Sequence, residues 1–175
     1  FVEEDVSRLR DIHKQIDVLW GIPLYAAEKS VHEDIVDKSG SFNQLMKNLY
    51  LLGGAKASIE LRTVVMAVNA LELEKLALFI SAHLDFINYW AVMAMEPVGY
   101  AKANLTRLFF DHSIAPQPVH KALDIAEARG IDVKLFNFPR CTVGKSYRKY
   151  CAQSISDWKR KYLDICESCG EKSDC

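Results

Sequence analysis

Long apolar runs are absent from this sequence. No stretch approaches the roughly 18 residues that a membrane helix needs, so no membrane partner is expected. Charge of one sign is also lacking. The chain has 22 basic and 23 acidic residues, a net charge of -1. A nucleic-acid binder normally carries a basic excess, so no nucleic-acid partner is expected. Glycine and proline are scarce, at 8 and 5 residues, which excludes a collagen-like chain. The sequence has no G-x-G-x-x-G, no Walker loop, no G-x-S-x-G and no H-E-x-x-H. The usual sequence signatures of dinucleotide, nucleotide, serine-hydrolase and zinc-protease chemistry are therefore missing. No initiator methionine, signal peptide or lipid anchor is visible. The expected location is cytoplasmic.

What is present suits a folded domain. Half of the 175 residues are apolar and 26% are charged. This is enough for a sizeable core and rules out a disordered chain. The length fits one domain with room for a small appendage. A chain that starts at Phe1 and stops at Cys175 is expected to be a fragment of something longer.

The hydrophobic pattern alternates between two periods. Residues 2–15 place Val6, Leu9, Ile12 and Ile16 at helical spacing. Val18 to Ile22 is a short apolar run, expected to be a strand buried on both faces. Ala26 to Gly40 is polar and longer than a usual connection, the kind of loop that often carries function. Ser41 is expected to cap a helix over Phe42 to Leu52, stopped by Gly53-Gly54. Residues 58–66, SIELRTVVM, alternate and are β-branched, so a strand is expected. Leu71 to Leu84 reads as a helix with Leu73, Leu76, Ala77 and Ile80 on one face. Residues 87–95 are expected to form a third strand, followed by a loop from Glu96 to Pro118. A helix from Val119 to Arg129 precedes a fourth strand, Ile131 to Phe136. A last helical piece is expected near Ser154 to Tyr162. Strands alternating with helices of this length indicate βαβ crossovers and a parallel sheet.

Within the second strand, Ile59, Leu61, Thr63 and Val65 suit a helix-covered side, and Glu60, Arg62 and Val64 then face the other way. A packed barrel interior would hold branched apolar side chains there. Two readings stand: an inner face that is wet or ligand-lined, or an edge strand whose Glu60 and Arg62 meet solvent.

In parallel α/β folds, sites gather at the carboxyl ends of strands. Four segments qualify: Tyr25 to His32, Ala67 to Asn69, Glu96 to Asn104, and Asn137 to Cys141. His32 could meet a substrate there, against the plainer reading of a solvated loop histidine. The cysteines run Cys141-x9-Cys151-x14-Cys166-x2-Cys169-x5-Cys175. A Cys-x2-Cys turns two thiolates toward one ion. Cys166, Cys169 and Cys175 are expected to be neighbours, with Cys141 or Cys151 as a fourth ligand. Four thiolates suit zinc or an iron–sulfur cluster, and spacing alone favours zinc. Free thiols are the plainer reading.

IPLYAAEKSVHEDIV after the first strand, VGYAKANL after the third and CAQSISDWKRKYLDICESCGEKSDC at the end carry a resemblance. The chain resembles the radical SAM enzymes over nearly its whole length, and among them the His-Xaa-Ser system radical SAM maturases. The resemblance implies an α/β fold, a partial (β/α)6 radical SAM barrel. Residues 1–137 would be its latter part, and residues 138–175 a cysteine-rich auxiliary-cluster extension. It implies S-adenosylmethionine bound on a [4Fe–4S] cluster, reductive cleavage, and hydrogen abstraction from a peptide substrate, with a paired second radical SAM protein as a candidate partner. By position, it implies Cys141, Cys166, Cys169 and Cys175 as auxiliary-cluster ligands, with Cys151 a non-ligand. It sets the adenosine near Tyr25, Arg62, Val65 and the loop Glu96-Pro97-Val98-Gly99.

The sequence departs from that family in lacking its C-x3-C-x2-C loop, its Gly-Gly-Glu and its Thr-Asn-Gly. Without the three thiolates of the catalytic cluster, the piece alone is expected to be inactive. A reading of another class is a non-catalytic α/β domain holding structural zinc on four cysteines and binding a protein partner. An ordinary hydrolase or isomerase fragment is a third reading, but no acid–base pair or nucleophile constellation stands out.

Overall fold

The computed structural model describes residues 3–153 and 161–175. Strands β1 (Leu19–Pro23), β2 (Ser58–Val65), β3 (Tyr89–Ala94) and β4 (Val133–Phe136) form one sheet in the order β1-β2-β3-β4. All three pairings are parallel. The helices are α1 (Glu3–Gln15), α2 (Lys29–Val36), α3 (Ser41–Gly54), α4 (Leu73–His83), α5 (Gly99–Ala103), α6 (Leu105–Leu108) and α7 (Gln117–Ala128). Consecutive strands are sheet neighbours, as short βαβ crossovers require. The expected α/β architecture is therefore present. No helix among the described residues is long and apolar enough to cross a membrane. Residues 154–160, where most of the last helical piece is expected, lie outside the described residues.

The sheet has one covered face and one open face. Ile59, Leu61, Thr63 and Val65 of β2 are all buried, as are Trp90 and Val92 of β3 and Leu135 of β4. Against them pack Leu49 and Leu52 of α3, the predicted stripe Leu73, Leu76, Ala77 and Ile80 of α4, and Leu123 and Ala126 of α7. Fully burying one such aliphatic side chain stabilises the fold by about 1.5–3 kcal/mol. Thr63 is the polar member of this layer. Its hydroxyl donates to the Leu24 carbonyl (2.7 Å) and accepts from the Trp90 indole (2.8 Å), so no buried group is left unpaired.

Several local expectations change in the tertiary context. β1 is not buried on both faces; it is an edge strand, with Leu19 half exposed. β2, by contrast, is internal, which removes the edge-strand reading of Glu60 and Arg62. Of the expected stripe, Leu9 is buried, while Ile12 and Ile16 are exposed. Helix α1 reaches the body through α3, where the Arg10 guanidinium donates to the Gly54 carbonyl (2.6 Å). The polar stretch 26–40 is not all loop, since it contains α2, and the segment 96–118 contains α5 and α6. Ser41 does not cap α3. Gly40 holds the N-cap position, and the Ser41 hydroxyl is buried without a hydrogen bond. The helix runs through Gly53 and ends at Gly54. A Cβ at Gly53 would sit 2.7 Å from the Phe86 ring, so glycine there allows an aromatic ring to pack on the helix.

Candidate functional site

The carboxyl ends of the strands open into a cleft of about 770 Å³. Its floor comes from alternation within the sheet. Val64 of β2 pairs with Met93 of β3, which pairs with Phe136 of β4, so these three share the open face. Met66 and Met95, just beyond their strands, extend it. Thioether side chains give an apolar, polarizable and adaptable surface. The rim is polar. Tyr25 follows β1, Glu96 follows β3 and Asn137 follows β4, and the Asn137 amide donates to the Glu96 carboxylate (2.9 Å). Helix α6 closes one side. The Leu108 carbonyl accepts from Ala67 N–H (2.9 Å), and Arg107 reaches Asp34 of α2 (3.0 Å). Both partners of that ion pair are well exposed, so it orients more than it stabilises.

Two buried polar residues shape the rim. Asn69 is fully buried. Its amide donates to the carbonyls of Tyr25 (2.9 Å) and Val64 (3.0 Å), and its oxygen accepts from Met66 N–H (2.8 Å). It thereby ties the exit of β1 to the exit of β2. His32 is not a solvated loop histidine; α2 carries it into the interior, where it is 2% exposed. Its Nδ1 accepts from Tyr25 N–H (3.3 Å), and its ring packs on Tyr25 and Phe42. Burial lowers the His32 pKa, against the opposing pull of Glu33. The neutral imidazole with Nδ1 unprotonated is the form this contact needs. Burial also raises the Tyr25 pKa, which keeps the phenol protonated.

Lower on the open face lies a row of charged and aromatic groups. Glu60 is nearly buried and accepts from Arg62 (2.7 Å). That hydrogen bond is the main reason the Arg62 pKa is raised. The Lys134 ammonium sits 4.3 Å from the centre of the Tyr89 ring. Gly21 makes room for this row: a Cβ there would lie 2.5 Å from the Arg62 guanidinium carbon. The inner face therefore carries paired charge, not the branched apolar filling of a closed barrel.

The candidate residues separate accordingly. Tyr25 and Glu96 line the cleft. Arg62 lies on the same open face, below the cleft and bound to Glu60. The Val65 side chain points into the helix-covered core, and Val64 lines the cleft in its place. Gly99 begins α5 between two cleft residues, Val98 and Tyr100. Asn69 enters the sequence reading only as the end of the segment Ala67 to Asn69, with no role of its own. The available signal was a single polar residue just past the end of β2, within a segment already expected to face the site.

The cysteines are placed differently from their spacing. All five are free thiols, with Cys141 and Cys169 exposed. Among the described residues, no three His, Cys, Asp or Glu side chains come together to hold a metal ion. As folded, Cys141, Cys166, Cys169 and Cys175 do not form the expected four-thiolate socket for zinc or a cluster. Residues 164–175 instead follow a succession of tight turns, in which Cys169 N–H reaches the Cys166 carbonyl (3.2 Å) and Cys175 N–H the Lys172 carbonyl (3.4 Å). Short i to i+3 turns of this kind are held by local backbone bonds.

No protein-family model matches the sequence, and no curated protein matches it. Among solved structures, the fold is similar to a domain of a pyruvate-formate lyase-activating enzyme from Bacteroides vulgatus. The TM-score is 0.52 at 14% identity, over 74% of this chain and 73% of that one. The likeness is one of fold, and it agrees with four parallel strands flanked by helices.

Proposed function

We propose that the chain supplies four strands of the barrel of a radical SAM enzyme, and that its cleft binds S-adenosylmethionine. The observation that carries this reading is the open, all-parallel sheet with a cavity at the carboxyl ends of its strands, in a fold shared with an activating enzyme's domain. About 770 Å³ suits a nucleoside-sized ligand, given that such pockets measure roughly 300–1,000 Å³. The methionine and valine floor offers the apolar contact, while Tyr25, Glu96 and Asn137 supply polar groups at the rim. In a complete enzyme, S-adenosylmethionine held here and given one electron by the reduced cluster would supply a carbon-centred radical able to take hydrogen from a substrate. The protein's part is to bind, orient and exclude water. The catalytic cluster does not fit on these residues: the sequence lacks C-x3-C-x2-C, and no metal-holding group forms among the described residues. Its ligands would belong to other residues of a complete enzyme.

The substrate in this proposal is a peptide. Its support is the segment beside the cleft, where Val98, Tyr100, Phe109 and Ile114 are exposed at 64%, 79%, 51% and 80%. Val98 and Tyr100 line the cleft, and exposed large apolar side chains along one segment suit a partner chain better than water.

The four methionines provide the test. Met66, Met93 and Met95 line the cleft, whereas Met46 lies in the α3 core. In a carbon-13 methionine-methyl spectrum of the chain, S-adenosylmethionine is expected to shift the three cleft signals and leave Met46 in place. A titration that moves none of them, or that moves Met46 as far as the others, overturns the proposal.

A further inference from the structure

The carboxyl-terminal turns are fastened to the sheet at one point. β4 is the edge strand of the sheet, and beyond it Cys151 forms an isolated parallel bridge with Leu135. Ala152 N–H reinforces that bridge by donating to the Leu135 carbonyl (2.8 Å). Just before this bridge, Arg140 and Arg148 lock together, each donating to the other's carbonyl (3.2 and 3.1 Å). Glu171 of the tail closes on both, at 2.7 Å to Arg140 and 3.1 Å to Arg148. A further contact lies on the other side, where the Gln153 amide donates to the Ser173 carbonyl (3.1 Å).

These contacts bracket two cysteines. Cys151 lies between Arg148 and Gln153, and Cys175 lies two residues beyond Ser173. We propose that Cys151 and Cys175 are a redox pair, which closes to a disulfide and fastens the tail to the exposed edge of β4. Glu171 lies four residues before Cys175 and Arg148 three before Cys151, so this ion pair joins the two segments that carry the sulfurs.

The reaction needs a small-molecule disulfide such as oxidised glutathione. One cysteine thiolate attacks it, forming a mixed disulfide and releasing one glutathione thiol. The second cysteine then attacks the mixed disulfide through its own sulfur and releases the other glutathione. Two protein thiols are oxidised, one glutathione disulfide is reduced to two thiols, and the two protons leave on those thiols. Oxidation would also withdraw Cys175 from any metal.

Tryptic digestion separates the cysteines of interest. Cys151 falls on residues 150–159, Cys175 on 173–175, Cys141 on 141–145, and Cys166 and Cys169 together on 162–172. The reduced full chain is treated with oxidised glutathione, free thiols are alkylated, and the digest is weighed by mass spectrometry. The expected product links 150–159 to 173–175 and is two hydrogens lighter than its parts. It should vanish in Cys151→Ser and in Cys175→Ser, and form more slowly in Glu171→Gln, which leaves both sulfurs in place. A scatter of pairings without preference, a dominant Cys166–Cys169 link, or no link at all overturns the proposal.

Discussion

Replacing Asn69 should loosen the rim of the cleft while leaving the sheet itself intact. Its side chain makes hydrogen bonds of 2.8, 2.9 and 3.0 Å to the backbone at Met66, Tyr25 and Val64. All of them lie where water cannot substitute, since Asn69 is fully buried. A hydrogen bond of this kind is worth about 1 kcal/mol net, and a buried donor left unpaired costs about 1–3 kcal/mol. Asn69→Ala removes three bonds and strands the Met66 N–H, so a loss of about 3 kcal/mol is expected. For a domain of this size each kcal/mol lowers the melting temperature by about 2–4 °C, which predicts a fall of about 6–12 °C. Differential scanning calorimetry measures it. Asn69→Asp sharpens the test. Its carboxyl keeps an acceptor for Met66 N–H but faces the Tyr25 and Val64 carbonyls where two donors stood. The aspartate must stay protonated to fit, so its pKa is raised on folding and its deficit relative to wild type should deepen as pH rises through the carboxylate range. A melting temperature for Asn69→Ala within a degree of wild type would refute the assignment of these three bonds.

Two further outcomes follow from buried polar groups. His32 has a lowered pKa in the fold, so the unfolded chain binds its proton first as pH falls. Its contribution is whole above about pH 6.5, the unfolded value, and is lost as pH drops toward the folded value. His32→Asn, which can present an oxygen near the Nδ1 position without titrating, should flatten part of the loss of stability below that pH, measured by urea unfolding. His112, also lowered by burial, keeps the remainder. Thr63→Val keeps the shape but removes the acceptor of the Trp90 indole and the donor to Leu24. It should destabilise by about 1–3 kcal/mol in the same assay, and Thr63→Ser should recover most of that.

Much of the architecture was legible along the chain. The alternation of SIELRTVV and the helical spacing of Leu73, Leu76, Ala77 and Ile80 report, residue by residue, which side of an element meets the core. That is a local property, so the strand and helix order, the parallel sheet and the helix-covered side of β2 follow from it. Polar residues at the carboxyl ends of strands likewise pointed to the region of the cleft.

The remainder depends on partners far away in the chain. Which strand lies at the edge is decided by sheet order, and β1 looked buried only because its own residues are apolar. His32 is interior because α2 turns it onto Tyr25 and Phe42, a fact of packing and not of its acidic neighbours. Asn69 acquires its role from Tyr25, 44 residues away. The cysteines show the same division. Spacing placed Cys166, Cys169 and Cys175 near one another in sequence, but the ion pairs of Glu171 with Arg140 and Arg148 draw the tail toward the segment that carries Cys151. The sequence by itself determined which faces must be covered, because hydrophobicity is carried by each side chain alone. Only the tertiary structure decided which polar groups meet, because a hydrogen bond or ion pair needs both partners in one place.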